Sequence, residues 1–466
     1  MIALAALVVV LAGAAVVFAL TRPGDVFNSD VEFREEPEQT SVPTPVAEEP
    51  ARKGRKKKRN PLAGFQWPTY GYTFDRRRFL QTKPSVRPPF KRAWSWSAGV
   101  LLEFSPIIVG DRLYVMDNAG VVTALNRKTG KRVWRRDMGY LAASSPAYGN
   151  GKVFVTVLER DRGGGSGGRV AALRARDGKI EWSRDLSSRT ESSPLFVEDR
   201  IYFGAENGTV YAMRARGGAI EWTFRAAGAV KGGPALANGR LYFGSYGGHV
   251  YAISRRTGRE IWHTGTSGAN LGLSAGNFYS SPAVAYGRVY IGNTDGNMYS
   301  FSAETGRLAW RRGTGSYVYA SPAVAQVRGG KPTVYFGSYD GTFYALDARS
   351  GDTRWAHDDG GNISGAATVV GDIVYYSNRG NGDTQGMWAR TGKRAFHSSR
   401  GAYNAVVSDG ETIYLTGYAS VAAFVPKTAA QERRAAERQA KKAAAAKKKR
   451  KAAKKRRAKK RRSRRN

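Results

Sequence analysis

A short strand pattern recurs along this chain, and no other feature restricts its fold so strongly. Its clearest copy covers residues 281–310. Ala283, Val284 and Ala285 follow a Ser281-Pro282 pair and end at Tyr286-Gly287. A second run, 288–292, holds Val, Tyr and Ile, which suit a pleated, half-buried surface. Asp295-Gly296 supplies a hairpin, because glycine takes the positive φ that a tight turn needs. A third strand over 298–302 and a turn at Thr305-Gly306 lead to a fourth over 308–312, which carries Trp310. A lone sheet of this kind cannot bury both of its faces, so it needs copies of itself alongside.

The copies are present. Ser-Pro returns at 105–106, 145–146, 193–194, 281–282 and 321–322, with Gly233-Pro234 as a variant. A closing tryptophan returns as Trp134, Trp182, Trp222, Trp262, Trp310 and Trp355, with Phe396 in register. The spacing is roughly 40–48 residues, the range of propeller blades. At the front, 92–96 holds Trp94 and reads as a fourth strand without its first three. At the end, 402–425 offers three strands without a closing tryptophan. Joining them closes a ring and removes open edges. Six clear blades, a degenerate one at about 363–398 and this composite predict an eight-bladed, all-β propeller of four-stranded antiparallel blades.

The fourth-strand segments carry a further pattern, Ala-x-Asp-x-x-Thr-Gly-Lys-x-x-Trp. It is met best at 124–134 (Asn126, Thr129, Gly130, Lys131) and 345–355 (Asp347, Ser350, Gly351). The same frame fits 172–182, 212–222, 252–262 and 300–310. On these residues the chain resembles the pyrroloquinoline-quinone-like (PQQ-like) β-propeller family, over about 66–425. It is similar both to the outer-membrane assembly lipoprotein propeller and to the quinoprotein dehydrogenase propeller. The segment Trp67-Pro68-Thr69-Tyr70-Gly71 also resembles the stretch that precedes the ring in those dehydrogenases. The resemblance implies a docking role between blades for Trp94, Trp134, Trp182, Trp222, Trp262, Trp310 and Trp355. One fold hosts many activities, so it does not decide function.

The dehydrogenases of that family use a catalytic Asp, a calcium ion held by Glu, Asn and Asp, and often a vicinal cysteine pair. This chain has no cysteine. That removes thiol chemistry, disulfides, cysteine zinc sites and a lipid-modified N-terminal cysteine. Its carboxylates show no calcium-loop spacing, and Asp111, Asp199, Asp295 and Asp340 fall where turn chemistry wants them. His249, His263, His357 and His397 match no metal or triad spacing. We therefore expect no catalytic residue, no metal and no cofactor, with PQQ and calcium kept for the oxidoreductase alternative.

A ring can still gather distant residues on its axis. The residue three before each repeat proline lies just upstream of the innermost strand: Glu103, Ala143, Glu191, Lys231, Tyr279 and Tyr319. If that strand lines the channel, Glu103, Glu191, Lys231, Tyr279 and Tyr319 converge on one mouth and could hold a polar ligand.

The flanks differ in kind. Residues 1–20 are apolar throughout apart from Gly13, long enough to span a bilayer, and read as an uncleaved single-pass anchor. They lack the basic residues that ordinarily precede such a segment, which we read as a start lying upstream. Residues 21–65 are acidic and proline-rich, then basic at 52–59, and read as a disordered linker. Residues 66–91 regain aromatics and read as a lead-in packed on the propeller, which runs over 92–425. The tail, 426–466, holds 20 Lys or Arg from Arg433 onward against Glu432 and Glu437. Alanine separates the charges in its first half, where a helix could form on a polyanion. Alone, such a charge run stays disordered, and it attracts polyanions: cell-wall polymer, anionic lipid or nucleic acid.

The formal net charge of +38 comes in large part from that tail. The run at 52–59 favours a cytoplasmic side, but it lies more than 30 residues past the apolar segment, where charge bias weakens. Known members of the resembled family are extracytoplasmic. The expectation is a membrane-anchored, extracytoplasmic, monomeric propeller that binds or scaffolds protein or envelope partners. A PQQ- and calcium-dependent oxidoreductase is the first alternative, and polyanion binding through the tail the second.

Overall fold

The computed structural model describes residues 24–36, 60–82, 86–163, 167–266, 276–401, 403–404 and 406–462. They form eight four-stranded antiparallel blades. The first seven follow chain order over 107–137, 147–185, 195–225, 235–265, 283–313, 323–358 and 368–398. The eighth joins Val406–Ser408, Ile413–Thr416 and Ser420–Pro426 to Phe90–Ser97, with Ala423 opposite Trp94. The N-terminal strand thus closes the ring as its sequence requires. The seventh blade, degenerate in sequence, is as regular as the others.

Each docking tryptophan lies over the turn glycine of the next blade. A Cβ on Gly130, Gly178, Gly218, Gly258, Gly306, Gly351 or Gly392 would sit 2.4–2.9 Å from the ring of Trp94, Trp134, Trp182, Trp222, Trp262, Trp310 or Trp355 respectively. These glycines have φ between +67° and +79°, so both conformation and space call for glycine. The indole N–H then donates to a carbonyl of that next blade, as from Trp134 to Ala175, Trp182 to Ala215 and Trp310 to Ala348, at 2.9, 2.8 and 3.0 Å. Trp222 is the exception, with no partner for its indole nitrogen. Second-strand tyrosines share the same acceptors: Tyr114 donates to Ala175 at 2.9 Å and Tyr290 to Ala348 at 3.1 Å. Phe396 replaces the indole at the closing joint and meets Phe90 and Phe424 edge-on at 5.6 and 6.1 Å.

Two N-terminal segments are built onto the ring. Residues 24–36 fall within the 21–65 stretch expected to be disordered, and the structure corrects that expectation. Val26–Phe27 adds a fifth strand outside the fifth blade, opposite Arg311 and Trp310. The cause is charge matching on an arginine-rich edge. Asp25 meets Arg312 at 2.5 Å, Asp30 meets Arg307, and Glu35 meets Arg349 at 2.7 Å. Phe33 stacks on Tyr286 at 5.2 Å. The remainder of the acidic and basic linker, 37–59, and the apolar segment 1–20 lie outside the described residues.

The second segment, 60–82, includes the start of the expected lead-in and winds around one end of the channel. Gln66–Trp67 pairs with the innermost strand of blade one. Carbonyls of Pro68, Phe74, Asp75, Arg77 and Arg78 then accept the amides of Tyr148, Leu236, Val284, Val324 and Val369, all at 2.7–2.9 Å. Each of those amides belongs to the middle residue of a three-residue innermost strand. Thr69 reaches blade three through the Pro194 carbonyl at 3.2 Å. The inner edges of the blades are thereby satisfied rather than left open.

The tail departs from its expectation of disorder. Ala429–Arg462 forms one helix, here α1. Thr428 and Gln431 make a reciprocal cap: Gln431 N–H donates to the Thr428 hydroxyl at 3.4 Å, and Thr428 N–H to the Gln431 side chain at 3.1 Å. Alanine, lysine and arginine are strong helix formers. Among the described residues no helix is long and apolar enough to cross a membrane.

Candidate binding site at the open mouth

The lead-in closes one end of the channel, and the other end opens into a cavity of about 270 Å³. Its wall is made by segments that run from the outer strand of one blade to the inner strand of the next. The recurring Ser-Pro pairs belong to this wall. The hydroxyls of Ser193, Ser281 and Ser321 accept the amides of Ser145, Gly233 and Ser281 at 3.0, 2.8 and 2.9 Å. Serine recurs there because each hydroxyl stitches one blade to its neighbour.

Glu103, Lys231, Tyr279 and Tyr319 line the cavity, and Glu191 adjoins it through Lys231. The Lys231 ammonium lies 2.6 Å from Glu191 and 2.8 Å from Glu206, and 5.4 Å above the ring of Tyr246. Burial alone would pull its pKa down, but the two carboxylates reverse this and hold it above the usual lysine value. Burial raises the pKa of Glu191, against the pull of Lys231. Glu103 is pushed up to about 7, first by burial and then by the charge of Glu191, while Arg379 and Lys231 oppose the rise. Its carboxyl accepts from Asn118 at 3.5 Å. Tyr279 is raised well above its usual value by burial, so its hydroxyl stays a proton donor.

Several residues at the mouth escaped sequence reasoning. Tyr319 is tilted against Tyr339 at 4.9 Å and edge-on to Tyr279 and Tyr317 at 5.5 and 5.8 Å. Tyr246 adjoins Tyr279 at 6.4 Å, and the Arg379 guanidinium sits 5.4 Å over Tyr403. Glu206, Tyr246, Tyr339 and Arg379 all stand two residues past the end of their blade's second strand core, after Gly204, Gly244, Gly337 and Ser377. Aligning the copies at that point, and not only at the proline, exposes this second ring.

The arrangement offers a tyrosine shelf on one side and a lysine neutralised by two glutamates on the other. The resembled dehydrogenases raise the question of PQQ with calcium, and the described carboxylates form no cluster for the metal. Among the described residues no group of three or more His, Asp or Glu could hold a metal ion. At the mouth, Glu191 is committed to Lys231 and Glu103 stands apart on the amide of Asn118. No step through that cofactor is derived.

Eight blades, seven of them docked by tryptophan and one by Phe396, around a plugged axis define a PQQ-like β-propeller. The family model described as outer membrane protein assembly factor BamB matches residues 91–141, 118–229 and 206–433, and the chain belongs to that family. No curated protein matches it. Among solved structures it is similar to BamB from Moraxella catarrhalis, with 18% identity, 72% of this chain and 99% of that one covered, and a TM-score of 0.56. It is also similar to the quinohemoprotein alcohol dehydrogenase ADHIIG from Pseudomonas putida HK5, with 16% identity, 77% and 80% coverage and a TM-score of 0.62. A europium-containing methanol dehydrogenase gives 15% identity, 78% and 98% coverage and a TM-score of 0.64. At these identities the likeness concerns the fold alone.

Proposed function

We propose that this protein is a membrane-anchored, extracytoplasmic binding and scaffold propeller that presents its open mouth to a protein or envelope partner. The observation that carries this reading is the shelf of Tyr279, Tyr317, Tyr319 and Tyr339 around a channel closed at its far end. Tyrosine and arginine dominate the energetics of protein recognition, because they bury large rigid surface and still carry a polar tip. Tyr317 remains exposed beside the cavity and Arg379 flanks it, so the mouth already has anchor and rim. The cavity lies just below the volume usual for small-molecule sites and suits one or two inserted side chains. Residues 1–20 would supply the membrane attachment.

Site-specific photocrosslinking in envelope fractions tests the reading. A probe at Tyr317 should give a discrete adduct that disappears in a Tyr319→Ala, Tyr339→Ala double variant. A probe at Phe74, exposed on the lead-in at the closed end, should not give it. Equal labelling from both positions would reject the mouth as the binding surface. Calorimetry with PQQ and calcium addresses the oxidoreductase alternative, which saturable binding would revive.

A second reading rests on α1. It carries Lys or Arg at most positions beyond Ala446, with no apolar stripe. A helix polar on every side has no face to bury, so polyanion binding is the property its chemistry supports.

A further inference from the structure

The lead-in carries three successive arginines with unequal surroundings. Arg77 is largely buried but well paired, with Asp75 at 2.7 Å and with Glu36. Arg76 and Arg78 have left-handed φ of 56° and 55°, a conformation that costs a non-glycine residue energy. Both point inward and are 0% and 1% exposed. Among the described residues neither is paired with a carboxylate. Arg76 spends its donors on the carbonyls of Pro234 at 2.6 Å, Ser193 at 3.1 Å and Tyr70. Burial first, and the neighbouring Arg78 second, pull its pKa to about 9, yet it remains charged at neutral pH.

Arg78 is less well served. Its Nη1 donates to the carbonyls of Arg76 and Pro322 at 2.8 and 3.2 Å, and its guanidinium lies 4.6 Å over the Tyr70 ring. Its Nε and Nη2, the edge that ordinarily grips an anion side-on, make no hydrogen bond. Arg78 forms part of the wall of a second, small cavity beneath the open mouth, with Tyr70, Ser105, Thr368 and Asn404 also in its wall. Its free volume is about 10 Å³, room for about one water-sized guest. Two buried cations without an anion are costly, and an unsatisfied charged donor pair adds to that cost.

We propose that this cavity is a structural halide site, in which one chloride ion sits against the Nε–Nη2 edge of Arg78 and neutralises the Arg76–Arg78 pair. Of the common anions a monatomic halide comes nearest to that volume, and a carboxylate or phosphate is too large. The hydroxyls of Ser105 and Thr368 are suitable additional donors. The cavity shares Tyr70, Ala366 and Asn404 with the wall of the open mouth, but the proposal requires no particular ligand there.

Two measurements test it. The full chain is melted in sodium chloride, sodium bromide and sodium gluconate at constant ionic strength. The melting midpoint should rise saturably with either halide and not with gluconate, as a ligand of the folded state requires. Arg78→Gln should abolish that response. Crystals soaked in bromide keep the proposal testable if the variant fails to fold. An anomalous peak beside Arg78 Nε and Nη2 is expected. No halide-specific rise together with no anomalous peak, a water alone occupying the cavity, would overturn it.

Discussion

The indole of Trp310 lies over Gly351 of the following blade, and its N–H reaches the Ala348 carbonyl three residues before that glycine, at 3.0 Å. One turn thus supplies both the floor on which the ring rests and the acceptor that orients it.

Gly351→Ala would place a Cβ 2.9 Å from the indole and force an alanine to φ +79°. The two penalties, left-handed strain and overpacking, should together cost about 2–4 kcal/mol. Gly410, at φ +83° with nothing near its missing Cβ, isolates the first penalty. Gly410→Ala should lose about half as much or less. Denaturation midpoints of the two variants measure the difference, and equal losses would refute the docking role of the glycine.

Glu103 binds a proton more tightly in the folded chain than in the unfolded one, where its pKa is the usual 4.5. Between about pH 4.5 and 7 the native state therefore holds the extra proton, and stability falls as pH rises through this window. Glu103→Gln should remove that fall. It should leave stability unchanged near pH 4 and raise it near pH 8, by up to about 3 kcal/mol at roughly 1.4 kcal/mol per pKa unit. Unfolding followed at both pH values checks the sign.

Glu36 accepts the Tyr286 amide at 2.7 Å and is held there by Arg77. In Arg77→Met that carboxylate loses its cation. Native-state hydrogen exchange at the Tyr286 amide should quicken, while the amide of Phe336, deep in blade six, should be unaffected. Unchanged exchange at Tyr286 would mean that the strap stays seated without the ion pair.

Removing 429–466 should abolish retention on heparin and on duplex DNA. For the intact chain, affinity should fall steeply with salt. If six to ten anionic groups are contacted, the loss between 50 and 200 mM is about 10³- to 10⁵-fold. Anisotropy titrations across that range measure the slope, and a slope near zero would leave the helix without a polyanion role.

Much of the ring was legible because its copies share one grammar: Ser-Pro opens the inner strand, Gly ends the second and Trp closes the fourth. The composite eighth blade followed from matching a strand with Trp94 but no predecessors to three strands with no closing tryptophan. Residues 24–36 were misjudged because their acidic, proline-flanked composition is that of a linker. The arginines that order them, Arg307, Arg312 and Arg349, come some 280 positions later or more, where no local pattern reveals the pairing. The inward turn of Arg76 and Arg78 was hidden for a similar reason, since three consecutive arginines look like solvated surface. The tyrosine shelf was half legible: Tyr279 and Tyr319 followed from the proline register, but Tyr339 and Arg379 belong to a different register.

The winding of 66–80 around the channel has a consequence for assembly. This segment is synthesised before any blade, yet its last partner is Gly371, whose amide it meets through Leu80 at 2.8 Å. It takes one step per blade, from the first to the seventh, by hydrogen bond or strand pairing. A ring with one blade more or fewer would throw every later step out of phase. The lead-in is in this sense a gauge, an N-terminal tally whose successive steps match the number of blades.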